Sequence, residues 1–265
     1  IRPRNKWYYD DMQIKRQMLR KRFVIILCIV TIAAIVIVAM LRSENISAPR
    51  ELDIPSAKKP QQDNKEKTKF DKTLYSVSDP ASVWVIVNKA NSLRPKTYQP
   101  FDLVSVGGSV FSKKMTTSLQ AMMAKAKSEG VTLRVISGYR SYDYQSNLYS
   151  AYVKKDGQAA ADTYSARPGH SEHQTGLAAD LGGSHGCSLD VCFGKTPEGV
   201  WLSDNATSYG FIIRYLQSNQ SITGYQAEPW HLRFVGVSLA KEMEKQGVTT
   251  LEEFFGVDGG KSYIN

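Results

Sequence analysis

Cysteine is nearly absent from this chain: there are three in 265 residues. Cys28 lies inside an apolar run without small residues just before it, and reads as a membrane-embedded thiol rather than a lipidation site. Cys187 and Cys192 stand close together in a Gly-rich stretch. Two thiols are too few for a zinc site of their own, and neighbouring cysteines outside a membrane often pair. A local disulfide is therefore expected, ahead of free thiols. Histidine is almost as scarce, with four residues: His170, His173, His185 and His231. Internal repeats and long low-complexity tracts are lacking, which excludes a repeat architecture. The C-terminal portion also lacks a strong charge of one sign. The chain has a net charge of +9, but its first 22 residues carry eight basic side chains against two acidic ones. Most of the excess is thus a tail, and a nucleic-acid reader would need it on the folded domain.

Long hydrophobic runs are represented by Phe23 to Leu41, without a charge. At about 1.5 Å per residue this nearly spans a ~30 Å hydrocarbon core. The basic residues before it place that end in the cytoplasm by the positive-inside bias. A cleaved signal peptide fits less well, because the run is too long and no clean small-x-small site follows. The expected organisation is a cytoplasmic tail over 1–22, a transmembrane helix over 23–41, an extracellular linker over 42–73 and a folded domain over 74–265. The linker is rich in Lys, Gln, Asp and Pro and cannot bury enough apolar area to offset its ordering entropy.

Within the domain, Val83 to Val87 has strand composition. Met115 to Glu129 reads as a helix with Leu119, Met122, Met123 and Ala126 on one stripe and Gly130 as its stop. Val131 to Ser137 reads as a strand. Ser141 can cap a helix running to about Lys155, with Tyr144, Leu148, Ala151 and Tyr152 facing inward. Leu177–Leu181, Phe211–Tyr215 and His231–Val235 read as strands. Gly199–Tyr209 and Val237–Gln246 read as helices stopped by Gly210 and Gly247. Thr250 and Glu253 form a capping box. Strands and helices mix without a βαβ rhythm, which predicts an α+β fold with a largely antiparallel sheet flanked by helices.

The polar residues cluster in two motifs, Ser171-Glu172-His173 through Asp180 and Glu228-Pro229-Trp230-His231. On a helix, His173 and Asp180 would lie about 10.5 Å apart along the axis, too far for one ion with bonds near 2 Å. The segment must fold back, and Gly176 supplies the turn. Glu228 and His231 would face opposite sides of an ideal strand. Pro229 makes a regular ladder unfavourable there, so a kink could bring both into one pocket. Two imidazoles, a ligand carboxylate and a spare carboxylate are the inventory of a hydrolytic metal site. Zinc suits mixed imidazole and carboxylate ligands better than magnesium or calcium. His170 is the rival ligand but reads better as a group that orients the loop, and His185 reads as solvent-exposed. Arg140 leaves a strand end where a guanidinium could bind a carboxylate or an oxyanion. Gln145, one helical turn on, could hydrogen-bond the same ligand.

Taken with Ser137-Gly138-Tyr139-Arg140-Ser141 and Ala166-Arg167-Pro168-Gly169-His170, these motifs resemble the VanY-type D-alanyl-D-alanine carboxypeptidases. That family belongs to a larger group that includes lysostaphin-type peptidases and the Hedgehog signalling domain. The resemblance covers roughly residues 80 to 256. It implies the Hedgehog/DD-peptidase fold, a zinc ion held by His173, Asp180 and His231, and Glu228 as catalytic base. It also implies that Arg140, Gln145, Ser171 and Tyr225 contact the substrate or its scissile carbonyl. The implied activity is trimming of the C-terminal D-alanine from peptidoglycan stem peptides outside the membrane. An L,D-carboxypeptidase acting on tetrapeptide stems would use the same site. A non-hydrolytic, zinc-containing wall-binding module is disfavoured by Glu228, since a structural zinc needs a fourth ligand and not an open position. The Cys187–Cys192 loop is not part of the family pattern.

Overall fold

The computed structural model describes residues 69–264. The expected tail, the expected membrane helix and the expected linker as far as residue 68 lie outside the described residues. Among the described residues no helix is long and apolar enough to cross a membrane.

A hairpin of β1 (Leu103–Val106) and β2 (Ser109–Ser112) leads into α1 (Lys113–Ser128). Ser112 caps the helix by accepting from the Lys114 N–H. Met115, Leu119, Met122 and Ala126 recur at helical spacing, and all four are fully buried. Burying Met115, Leu119 and Met122 stabilises the fold by about 1.5–3 kcal/mol for each side chain. The stripe packs on a sheet of β3 (Arg134–Ser137), β4 (Ala178–Gly182), β5 (Phe211–Tyr215) and β6 (Glu228–Phe234). The strand order is β3-β4-β6-β5 and every pairing is antiparallel, which makes the unit α+β. Ala179, Leu181, Phe211, Leu232 and Phe234 supply the sheet's share of this core. The helices α2 (Tyr142–Asp156), α3 (Gln158–Tyr164), α4 (Pro197–Asn205), α5 (Gln220–Thr223), α6 (Val237–Gln246) and α7 (Leu251–Phe255) complete it. A second cluster joins Trp84 and Ile86 to Leu239, Ala240 and Met243 of α6 and to Leu251 and Phe254 of α7. Packing there begins at Phe70, whose ring lies 5.6 Å from that of Trp84 and 5.7 Å from that of Phe254.

Two local expectations are corrected. Val83–Val87 is not a strand, although Trp84 to Val87 are buried. Its backbone groups are taken by other partners. Val83 and Val85 carbonyls accept from Arg233 Nη2, and the Ile86 N–H donates to Val77. On α2, Tyr144 is exposed, Ala151 is exposed and the buried residue is Gln145. This helix packs on α3, with Tyr152 against Tyr164 at 5.1 Å, and presents a polar side chain inward because its inner side borders a cleft.

Candidate metal centre and cleft

Strand alternation sends Ala179 and Leu181 into the core and leaves Asp180 on the other face. Asp180 is the cross-strand partner of His231 on β6, so sheet register alone places two of the three expected ligands side by side. His231 Nδ1 lies 3.0 Å from Asp180 Oδ1. The third comes from a 3₁₀ turn, Glu172–Thr175, that ends on Gly176 at φ +69°. A Cβ at Gly176 would sit 2.8 Å from the Ser112 backbone nitrogen, so the fold-back requires glycine both for its dihedral and for its close approach. The turn aims His173 back at β4, its Nε2 3.2 Å from Asp180 Oδ2.

The ring orientations fit metal ligation. His173 Nδ1 donates to the Gly138 carbonyl at 2.7 Å, which leaves Nε2 as the ligating atom, buried and without a hydrogen-bond partner. His231 Nε2 donates to Glu172 Oε2 at 3.2 Å, which leaves Nδ1 facing Asp180. The three candidate ligand atoms lie within 4.8 Å of one another. The two imidazole nitrogens each face one oxygen of the Asp180 carboxylate, His231 Nδ1 at Oδ1 and His173 Nε2 at Oδ2. An orphaned buried imidazole nitrogen beside a carboxylate suits a divalent cation.

Glu228 reaches the same cleft by an irregularity. Ile213 pairs with Leu232 and Tyr215 with Glu228, so four residues of β6 are spanned by two of β5. The extra residues fall around Pro229, which has no N–H for the ladder. This bulge carries Glu228 and His231 to one side, with Oε2 3.8 Å from Nδ1. Burial pushes the Glu228 carboxyl up to about 7, against the opposing pull of His231. Burial, helped by the nearby Arg140, pushes His173 down to about 4, which keeps it neutral at neutral pH. Burial works against ionised Asp180, but His173 and His231 outweigh it and hold the carboxyl well below the usual range. Burial also opposes charging of His231, yet hydrogen bonds to Asp180 and Glu172 raise it to about 9.

Beneath the ligands lies a charge network that sequence reasoning missed. Glu172 Oε1 accepts from Arg214 Nε and from Arg233 Nη1, both at 2.8 Å. Arg214 in turn makes a two-pronged pair with Glu252, at 2.8 and 2.6 Å, and Asn88 donates to the same carboxylate at 3.0 Å. All of these side chains are buried. Burial would push Glu172 up, but Arg214 and Arg233 prevail and hold it well below the carboxylate range. The signal was two arginines inside apolar strands, since buried charges require partners.

The cleft over this centre has a volume of ≈ 450 Å³, and Arg140, Gln145, Ser171 and Tyr225 all line it. Arg140 Nη2 stands 3.9 Å from Asp180 Oδ2, and its backbone N–H donates to His173. Gln145 Nε2 donates to Ala166 at 2.7 Å, while its Oε1 is buried without a partner. Tyr225 packs on Tyr215 at 5.1 Å, and Tyr215 on His231 at 5.0 Å. His170 is outside the cleft lining. It anchors its loop through Nδ1, 2.9 Å from the Asn88 carbonyl. His185 is largely exposed but pairs with Glu198 at 2.8 Å. Cys187 and Cys192 form a disulfide.

A family model described as VanY, D-alanyl-D-alanine carboxypeptidase, matches residues 108–237. Bacillus subtilis YodJ is 41% identical over 193 residues, covering 69% of this chain and 70% of that protein. Among solved structures, the LdcB LD-carboxypeptidase aligns with a TM-score of 0.62 and 40% identity over 70% of this chain and 89% of its own. The vancomycin-resistance D,D-pentapeptidase VanY, solved as a variant in complex with Zn(II), aligns with a TM-score of 0.56 and 32% identity. That match covers 64% of this chain and 97% of the other.

Proposed function

The chain belongs to the VanY D-alanyl-D-alanine carboxypeptidase family, and from that premise we propose that it removes the C-terminal D-alanine of peptidoglycan stem peptides, with D-Ala-D-Ala ends as its substrate. We place the catalytic unit outside the cell membrane, tethered through residues 23–41. One observation carries the reading: a half-buried carboxylate, Glu228, stands beside the His173, Asp180 and His231 candidate ligand set without belonging to it.

His173, Asp180 and His231 would hold one zinc ion, which supplies Lewis-acid polarisation of the scissile carbonyl and acidification of water. Glu228, with its proton affinity near neutrality, takes a proton from the attacking water. It returns one to the departing amine as the C–N bond breaks. Arg140, fixed at a strand end, suits the peptide's terminal carboxylate or the oxyanion that develops at the attacked carbonyl. Gln145 donates one N–H to Ala166, which fixes its amide with an unpartnered carbonyl oxygen that can accept from a peptide N–H. Ser171 and Tyr225 wall the same cleft.

A second reading, L,D-cleavage of tetrapeptide stems, has a specific observation in its favour: the likeness to LdcB is higher, 40% against 32% for VanY. Mass spectrometry of stem penta- and tetrapeptides incubated with the zinc-loaded protein separates the two. Loss of one alanine from the pentapeptide alone supports D,D-cleavage, and loss from the tetrapeptide alone supports the L,D reading. No product from either peptide would sink both.

A further inference from the structure

The loop from Cys187 to Gly194 follows β4 and borders the cleft. Cys187 packs against the main core, and Phe193 is fully buried within it. Between these anchors Leu189 and Val191 are turned outward, 49% and 59% exposed. Both nonetheless line the cleft that holds the metal centre, together with Asp190. The loop is held there by several devices. The disulfide closes it at a Cα–Cα distance of 5.5 Å. Asp190 accepts from the Cys192 N–H at 2.9 Å, so its carboxylate is engaged in shaping the loop. A Cβ at Gly194 would meet the Pro229 ring at 3.2 Å, so the outgoing arm lies directly on the strand that carries Glu228.

The conformation is costly. Cys187 and Leu189 adopt φ +59° and +57°, in the left-handed region that side chains other than glycine rarely occupy. Such outliers persist where the surroundings over-determine them, and they cluster at ligand clamps. A cross-link over so few residues also constrains the unfolded chain less than a long-range one would. Its main effect is therefore on local shape.

We propose that the Cys187–Cys192 disulfide clamps Leu189 and Val191 as an apolar rim that grips the peptide upstream of the scissile bond, making this loop a determinant of substrate length. The proposal rests on the carboxypeptidase reading above. In this proposal the rim acts on binding, not on bond breaking.

The test uses the full chain, zinc-loaded, in a Glu228→Ala background so that peptides bind without turnover. Calorimetry measures Kd for a stem pentapeptide and for its acetylated C-terminal tripeptide. The variants are Leu189→Ser with Val191→Ser, and separately Cys187→Ser with Cys192→Ser. Each pair should weaken the pentapeptide about tenfold, the scale of a lost hydrophobic contact, and leave the tripeptide within about twofold. Unchanged pentapeptide binding, or equal weakening of both peptides, overturns the rim. An effect from the Leu189 and Val191 pair without one from the cysteine pair overturns the clamp. Should the cysteine pair fail to fold, the exposed aliphatic pair still decides the rim. Turnover by the unsubstituted chain is measured alongside. Its absence would defeat the carboxypeptidase reading while the Kd comparison still judges the rim.

Discussion

Removing the Glu172 carboxylate would leave the buried Arg233 without its carboxylate partner and Arg214 with Glu252 alone. Breaking a buried pair from one side costs about 3–5 kcal/mol, so Glu172→Ala should show a loss of that size in denaturant melts. It also frees His231 Nε2, and loss of such a partner weakens metal binding by about 10–100-fold. Competition with a chelator should show this, and unchanged zinc affinity would contradict the orienting role. A second residue-scale outcome follows from His231, whose neighbouring carboxylates raise it to about 9. A raised imidazole is protonated at neutral pH without metal and must lose that proton to ligate. Zinc uptake near pH 7 should thus release about one proton, read by calorimetry in buffers of different ionisation enthalpy. No release would mean His231 is neutral beforehand. At Arg140, lysine keeps the charge and loses the planar fork. Arg140→Lys should lower kcat/KM strongly with zinc content unchanged. Amidating the substrate's C-terminus erases that difference if Arg140 binds the carboxylate and preserves it if Arg140 serves the oxyanion. Wild-type kinetics on both substrates would remove Arg140 from the site.

At the scale of elements, what was legible followed local rules. The stripe of α1, the Ser141 cap of α2 and the Gly247 end of α6 were all readable from spacing and caps. So was the need for a fold-back between His173 and Asp180, because it followed from helix rise and bond length. The kink at Pro229 was legible as a missing N–H, though not as a two-residue bulge inside one strand. What escaped were pairings distant in sequence. Val83–Val87 has strand composition, but its carbonyls serve Arg233 across 150 and 148 positions. The inward side of α2 is polar, against its apolar spacing, because a cleft rather than apolar core lies beneath it. Glu172 was passed over because its partners lie 42 and 61 positions away. The fold-back yields its own prediction. Gly176→Ala must place a Cβ 2.8 Å from a backbone nitrogen at φ +69°. It should cost about 1–3 kcal/mol and lower zinc occupancy, because the same turn aims His173. Full occupancy and an unchanged melt would show that the turn tolerates a side chain.

For the whole molecule, the candidate metal centre and its cleft lie within the described residues 69–264. Phe70 packs on Trp84 and Phe254, inside the stretch whose composition reads as linker. A fragment beginning at Leu74 should therefore melt several degrees below one beginning at Lys69, at about 2–4 °C per kcal/mol for a unit of this size. Equal melting temperatures would show that Phe70 adds nothing. The account stands or falls, however, on the division of labour between three ligands and one base. Its most direct test is a paired measurement on Glu228→Ala: zinc per chain by metal analysis, and release of terminal D-alanine from stem peptides. The account predicts about one equivalent of zinc, as in the unsubstituted protein, with turnover reduced by roughly 10²–10⁴-fold. Loss of the zinc would make Glu228 a ligand, and retained turnover would show that the proton moves through another group.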